Sequence, residues 1–291
     1  MLHSLSSADF PLVIDRLKPF YPISGPFYCS LRFQSCSKLS ELTYTNLVYP
    51  WPDPVCYYLC SRFSSDDRPS PYVFISKPEA SETVTEFFDL LIEREIEPNM
   101  FVGAVQDQLL SLLRSKYGDR VVCGCCDLME SGHSGTFVFY MNDQQLKTLD
   151  QTEISAPDGY YFDYLREQDV EAVHNTWRFA GKVETTRLKI EKLPSVCLRE
   201  NRTDQLASFE MLNTEGWMNH LYTLPQYRQK GLAKKVELKL CQLMRKEGIV
   251  PYKYVVPDNE LGLQMAMKSP LWTCMKEKVH WVKVDSSTNA N

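Results

Sequence analysis

The residues of this chain best suited to chemistry lie in one run, Arg228-Gln229-Lys230-Gly231-Leu232-Ala233-Lys234. A strand-like segment precedes it and breaks at Pro225, and a long basic helix follows. The first turn of a helix leaves about four backbone N–H groups without partners, and that end carries roughly half a positive charge. Gly231 has no side chain, so an anion can approach the main chain closely, and Ala233 keeps the next turn open. Such a turn can cradle a diphosphate. Arg228 and Lys230 flank it, and Lys234, Lys235 and Lys239 follow along the helix, which suits a ligand with several phosphates. Read alone, the same pattern fits a solvated basic helix face; its place between a strand and a helix favours the anion site. The Gly-Lys-Ser/Thr ending of a P-loop and a G-x-G-x-x-G run are both missing here.

The elements that position this run are predicted by periodicity. The helix over about 231–247 carries an inner stripe of Leu232, Val236, Leu240 and Leu243. Ahead of it, 195–200, 206–212 and 216–224 read as successive antiparallel strands, with turns at Asn201–Asp204 and Asn213–Gly216. A strand over 252–256, a helix over 259–268 and a last strand over 277–284 follow. Before these come a strand near 160 and helices over about 167–179 and 184–192. The front half reads as mixed α/β. Helices are predicted over 8–18 (Leu12, Val13, Leu17 and Phe20 on one side), 81–95 and 105–116. Strands are predicted over 26–33, 55–63, 71–77, 119–126 and 135–141. The polar stretch 141–161 reads as the linker, giving domains over 1–150 and 160–291.

Composition narrows the function classes. The chain has 291 residues, 44% apolar and 24% charged, with a formal net charge of -5. These values predict a globular protein. Mild acidity argues against a general nucleic-acid binder, so the positive charge after Tyr227 is local and suggests one anionic ligand. No apolar run approaches the roughly 18 residues of a membrane span, and the first residues lack a secretory pattern. Ten cysteines are then expected as thiols. Cys123, Cys125 and Cys126, with His133 nearby, have the wrong spacing for a zinc knuckle and read as buried strand cysteines, so no metal is expected.

The R-x-x-G-x-A loop after three antiparallel strands resembles motif A of the GCN5-related N-acetyltransferase (GNAT) superfamily. The segments NTWRFAG (175–181), TLPQYRQKGL (223–232) and VPDNELGLQMAM (256–267) are similar to the C-terminal domain of the glycine N-acyltransferase family. VYPWPDPVCYYL (48–59) resembles its N-terminal domain more loosely. The resemblance implies an α/β GNAT fold, with a mixed, mostly antiparallel sheet flanked by helices and a degenerate GNAT-like front domain. It implies acyl transfer from acyl-CoA, a co-substrate rather than a resident cofactor, to the amine of glycine or another amino acid. It implies that Arg228 to Lys234 hold the pyrophosphate, and that main-chain groups of Leu221, Tyr222, Thr223 and Leu224 hold pantetheine and polarise the thioester. Asn259 is implied as a further pantetheine contact; helix capping is its plain alternative, and a double role combines the two. A monomer is expected, without nucleic-acid or membrane partners. The family is commonly mitochondrial, with the cytoplasm as the alternative.

Amine attack on a thioester is helped by a base. Where the family places a glutamate in TLPEYR, this chain has Gln226, and a neutral amide takes no proton. Three outcomes stand open. Either His220 serves as base by its position on the strand, or an already neutral amine reacts slowly, or acyl-CoA binds without turnover. His220 reads equally as a structural histidine, and Tyr222 and Tyr227 as packing residues. Met267 stands where a tyrosine acid is often found in the family. Arg178, Lys182 and Arg187 are the candidate cations for an acceptor carboxylate.

Overall fold

The computed structural model describes residues 1–63, 70–94, 99–123 and 135–285. The chain forms two compact units. The first contains residues 1–138, 255–264 and 275–291, and the second contains residues 139–254 and 265–274.

Among the described residues, the first unit carries a seven-stranded sheet ordered β1-β2-β3-β4-β5-β14-β6. Its strands are β1 (His3–Ser4), β2 (Thr43–Tyr49), β3 (Cys56–Arg62), β4 (Ser70–Ile75), β5 (Asn99–Gln106), β6 (Val121–Cys123) and β14 (Val279–Asp285). Its helices are α1 (Phe10–Leu17), α2 (Gly25–Ser35), α3 (Ser81–Glu93) and α4 (Asp107–Tyr117). The pairings are antiparallel except β4–β5, where Tyr72 stands beside Gly103 in parallel. Strand β3 is buried on both faces. Tyr58 and Cys60 pack with Phe87, Phe88 and Leu91 of α3, while Tyr57 meets Phe27 of α2 at 6.1 Å. That two-sided burial explains an apolar run without alternation.

Several expectations need correction. Residues 26–33, expected as a strand, belong to helix α2. Pro26 suits the first helical turn, and Phe27 and Leu31, one turn apart, are both buried, so packing overrides the strand propensity of the aromatics. Leu12 and Phe20 are exposed rather than inward-facing. Strands β2 and β5 were not anticipated. Within the polar stretch 141–161, a helix runs from Asp143 to Gln151. It starts at a capping box between Asn142 and Gln145 and buries Leu146 and Leu149, two apolar anchors one turn apart.

The second sheet is ordered β13-β7-β12-β11-β10-β9-β8. Its strands are β7 (Phe137–Tyr140), β8 (Tyr160–Asp163), β9 (Ser195–Glu200), β10 (Leu206–Leu212), β11 (Met218–Thr223), β12 (Tyr252–Val255) and β13 (Thr273–Cys274). The associated helices are α5 (Asp143–Gln151), α6 (Val170–Asn175), α7 (Val183–Lys192), α8 (Leu232–Lys246) and α9 (Glu260–Lys268). Strands β8 to β11 form an antiparallel meander, whereas β11 and β12 run parallel, with Met218 beside Lys253. The crossover from β11 to β12 is helix α8, as a parallel pair requires. One side of the meander packs under α6 and α7 through Val173, Ile190, Phe209 and Met211. Buried Arg199 ties β9 to the start of α6, donating to Asp169 at 2.5 Å and to Asp163 at 2.8 Å. Among the described residues, no helix is long and apolar enough to cross a membrane.

Candidate functional site

The chain leaves β11 at Thr223, makes a short turn over Pro225–Tyr227 and enters α8. Tyr227 anchors that turn. Its ring is buried, its hydroxyl donates to Gln205 at 3.0 Å, and its edge meets Tyr160. This is the packing role weighed for it. Gln229 and Gly231 both adopt left-handed backbone, with φ of 63° and 72°. Such alternation turns successive N–H groups toward one point. Gly231 precedes the first helical residue, with no side-chain cap and no acidic residue in the first turn. It is exposed, and a Cβ added there would meet nothing within 4 Å. The predicted cradle is therefore open, and nothing from the protein takes the place of its anion. Buried Leu232, Val236 and Leu240 anchor the helix beneath it. Met244 completes that stripe in place of Leu243, which is half-buried.

The flanking cations divide. Arg228 folds back on β11, donating to the Thr223 carbonyl at 3.1 Å and to the Tyr222 hydroxyl at 3.3 Å. Lys230 donates to the Tyr160 hydroxyl at 3.0 Å. Lys234 is exposed on the first turn. Ala233 is half-buried, and Gln229 and Gln226 are exposed.

The strand leading to this turn is not regular. Phe209 pairs with Tyr222, but Met211 pairs with Asn219, so one residue of β10 faces two of β11. This β-bulge holds His220 at φ 60°. It breaks the alternation that a regular strand would impose on Met218, His220 and Tyr222. Met218 touches Cys241 of α8, whereas His220 turns to the α6–α7 side, 4.8 Å from Trp177 and 5.0 Å from Phe209 by ring centroids. A bulge re-aims side chains and frees main-chain groups from the ladder. Here it lies beside Leu221, and Leu221 to Leu224 are half-buried.

His220 is buried, with Nε2 3.2 Å from the Thr176 hydroxyl and Nδ1 without a partner. Burial pulls its pKa from 6.5 to about 3, Lys189 adds to the fall, and Thr176 opposes it. The imidazole is neutral at physiological pH and weakly basic, which disfavours it as acceptor of an ammonium proton. The folding consequence has a definite sign. Between pH 6.5 and about 3 the unfolded chain holds a proton that the folded chain rejects, so this group lowers stability as pH falls through that window. From pH 7.5 to 5, the wild type is expected to lose about 2 kcal/mol more unfolding free energy than His220→Gln. Urea melts at the two pH values measure it; parallel losses would contradict the burial argument.

The other candidates fall in known places. Asn259 lies in the segment 255–264 of the first unit, and its side chain accepts from the Gly262 N–H at 3.1 Å. That is the capping alternative. Arg187 is paired with Glu167 at 2.8 Å, and the Arg178 guanidinium lies 4.5 Å over the Phe179 ring. Cys125, Cys126 and His133 lie outside the described residues, among which no cluster of metal-ligating side chains occurs. Sequence reasoning missed a charged group beneath the site. Buried Glu237 of α8 pairs with Lys253 of β12 and accepts from the Trp272 indole at 3.2 Å. Glu210 of β10 is buried beside them, and burial, with repulsion from Glu237, raises its pKa well above the usual carboxylate range while Lys253 opposes.

Comparisons with known proteins agree with this geometry. A family model described as FR47-like protein matches residues 195–268, the segment from β9 through α9. Bovine glycine N-acyltransferase is 25% identical over 113 residues, which are 38% of this chain and 38% of that protein. The match therefore spans well under two thirds of that relative. An X-ray structure of a Drosophila protein superposes with a TM-score of 0.76 at 14% identity, covering 99% of each chain. A tandem GNAT protein from the clavulanic acid biosynthesis pathway, solved without acetyl-CoA, gives 0.55 at 12% identity, again over 99% of each chain. The meander, the bulged strand and the open helix start define the GNAT fold. The chain shares that fold with the tandem GNAT protein along its whole length.

Proposed function

We propose that this chain is an acyl-CoA-dependent N-acyltransferase whose acceptor is the amine of glycine or another small amino acid. The observation that carries the reading is the exposed, uncapped start of α8 at left-handed Gly231, reached directly from the bulged end of β11. The N–H groups of residues 231–234 would take the diphosphate of coenzyme A, with Lys234 at hand and Arg228 and Lys230 able to swing from their tyrosine partners. The main chain of Leu221 to Leu224 would line pantetheine, and the bulge would supply an N–H to the thioester oxygen as charge develops there. The amine nitrogen then attacks the carbonyl carbon, the C–S bond breaks, and the proton lost by nitrogen leaves with the thiolate or solvent. Gln226, exposed beside the turn, would orient the amine or a water rather than take its proton.

A second reading has its own support. Gln226 and the weakly basic His220 leave the described site without a strong base, as suits an acyl-CoA-binding protein with little turnover. Two measurements separate the readings. Coenzyme A is expected to raise the thermal midpoint, and acetyl-CoA with glycine is expected to release free thiol. Protection without thiol release, across a panel of acyl-CoAs and amino acids, would favour the second. Gln226→Glu is expected to raise kcat about 10-fold or more, within the range of general-base catalysis; no gain would show that the missing carboxylate is not limiting. A mitochondrial setting and a monomeric state accompany the proposal on family resemblance, and import assays and sedimentation test them.

A further inference from the structure

Lys189 of α7 was not among the expected acceptor-site cations, yet its surroundings set it apart from them. Arg187, two residues earlier, is paired with a carboxylate at the surface. Lys189 is half-buried between buried Leu188 and Ile190, on a helix that packs against β10. Its main-chain carbonyl accepts from the Leu193 N–H, but among the described residues its ammonium makes no hydrogen bond and no ion pair. The groups that face it electrostatically are Glu215 and His220. Glu215 is committed elsewhere: one oxygen accepts from Thr214 at 2.7 Å and the other from the Asn213 amide. His220 is buried and neutral, with Nδ1 open. The Asn219 side-chain oxygen is also buried without a partner, and Asn219 stands opposite Met211, a residue of the α6–α7 core. Two unsatisfied buried atoms thus lie at the bulge, and Lys189, next to Ile190 of the core that holds Met211, faces His220 electrostatically.

An ammonium drawn into protein without a hydrogen-bonded partner is costly, and burial lowers the Lys189 pKa, with Glu215 opposing. Its three N–H donors match one missing partner, an anion of modest size. The diphosphate cradle lies at the other end of β11, beyond Thr223, so this cation is not part of it. We propose that Lys189 receives the carboxylate of the acceptor, so that the site selects amines bearing a carboxylate over amines lacking one. This rests on the N-acyltransferase reading and names the residue behind its acceptor class. The two buried orphan atoms at Asn219 and His220 would complete the polar wall facing the acceptor.

The test is calorimetric binding of N-acetylglycine and of N-acetylglycinamide to the full chain with coenzyme A present, using wild type, Lys189→Met and Lys189→Arg. The wild type is expected to prefer the carboxylate about 10-fold or more, as charge-assisted hydrogen bonds allow. Lys189→Met should erase that preference with amide binding unchanged, and Lys189→Arg should keep part of it. In turnover, Lys189→Met should raise KM for glycine about 10-fold and leave kcat within about 2-fold. A wild type without preference, or a preference that survives in Lys189→Met while thermal melts show it folded, overturns the proposal. Failure to bind coenzyme A at all would instead overturn the N-acyltransferase reading, and the carboxylate preference would still be read from titrations without it.

Discussion

Gly231→Asp is expected to weaken coenzyme A binding by roughly 100-fold or more, equivalent to about 2.7 kcal/mol. Two effects add. The new carboxylate sits at the positive end of α8 and opposes a diphosphate where the helix now favours one. The side chain also fills the open approach to the main chain, where nothing now lies within 4 Å. Gly231→Ala separates the effects. It adds bulk and the strain of φ 72°, about 1 kcal/mol, but no charge, so its binding loss should be clearly smaller. Titration calorimetry with coenzyme A, after melts confirm folding, reads both. Equal, unchanged affinity in the two variants would remove the diphosphate from this turn.

Lys253→Met is expected to cost about 3–5 kcal/mol of unfolding free energy, because it leaves buried carboxylates without their cation. Glu237 would lose its ion pair, and Glu210 the one group opposing its raised pKa. The sign with pH follows. A carboxyl whose folded pKa lies above its unfolded value takes up a proton on folding, so its contribution is present below the unfolded value and lost as pH rises. The damage in Lys253→Met should therefore be greater at pH 8 than at pH 5. The double variant Glu237→Gln/Lys253→Met should recover at least half of the loss, since removing both charges avoids the uncompensated one. Urea melts at both pH values decide, and a single variant as stable as wild type would show that the pair is not electrostatically important.

Much of the second unit was legible because its signals are local. Gly231 with its cations, the turn residues Asp204 and Gly216, and the meander each show within about ten residues of sequence. The α2 segment was misread because Phe27, Tyr28 and Phe33 favour strands by type, and only the position of Pro26 hinted otherwise. The bulge was invisible for another reason: a histidine at φ 60° has no residue-type signature, and the ladder register depends on the partner strand. Lys189 was missed because a lysine on an amphipathic helix looks the same in sequence whether it points to water or into the protein. Glu210 and Glu237 carry no local mark of burial, and the pairing of Glu237 with Lys253 appears only in the fold.

Strand β14 pairs with β5 on one side and β6 on the other. The first sheet thus takes one of its inner strands from residues 279–285, more than 150 positions after β6. During synthesis, β5 and β6 must wait with open edges until residues 279–285 leave the ribosome, while everything needed for the β8-to-β12 region has already emerged. A nonsense change shortly before Val279 would therefore leave β5 and β6 of the first sheet without their shared partner, exposing strand edges prone to mispairing, and would leave the strands around Gly231 in place.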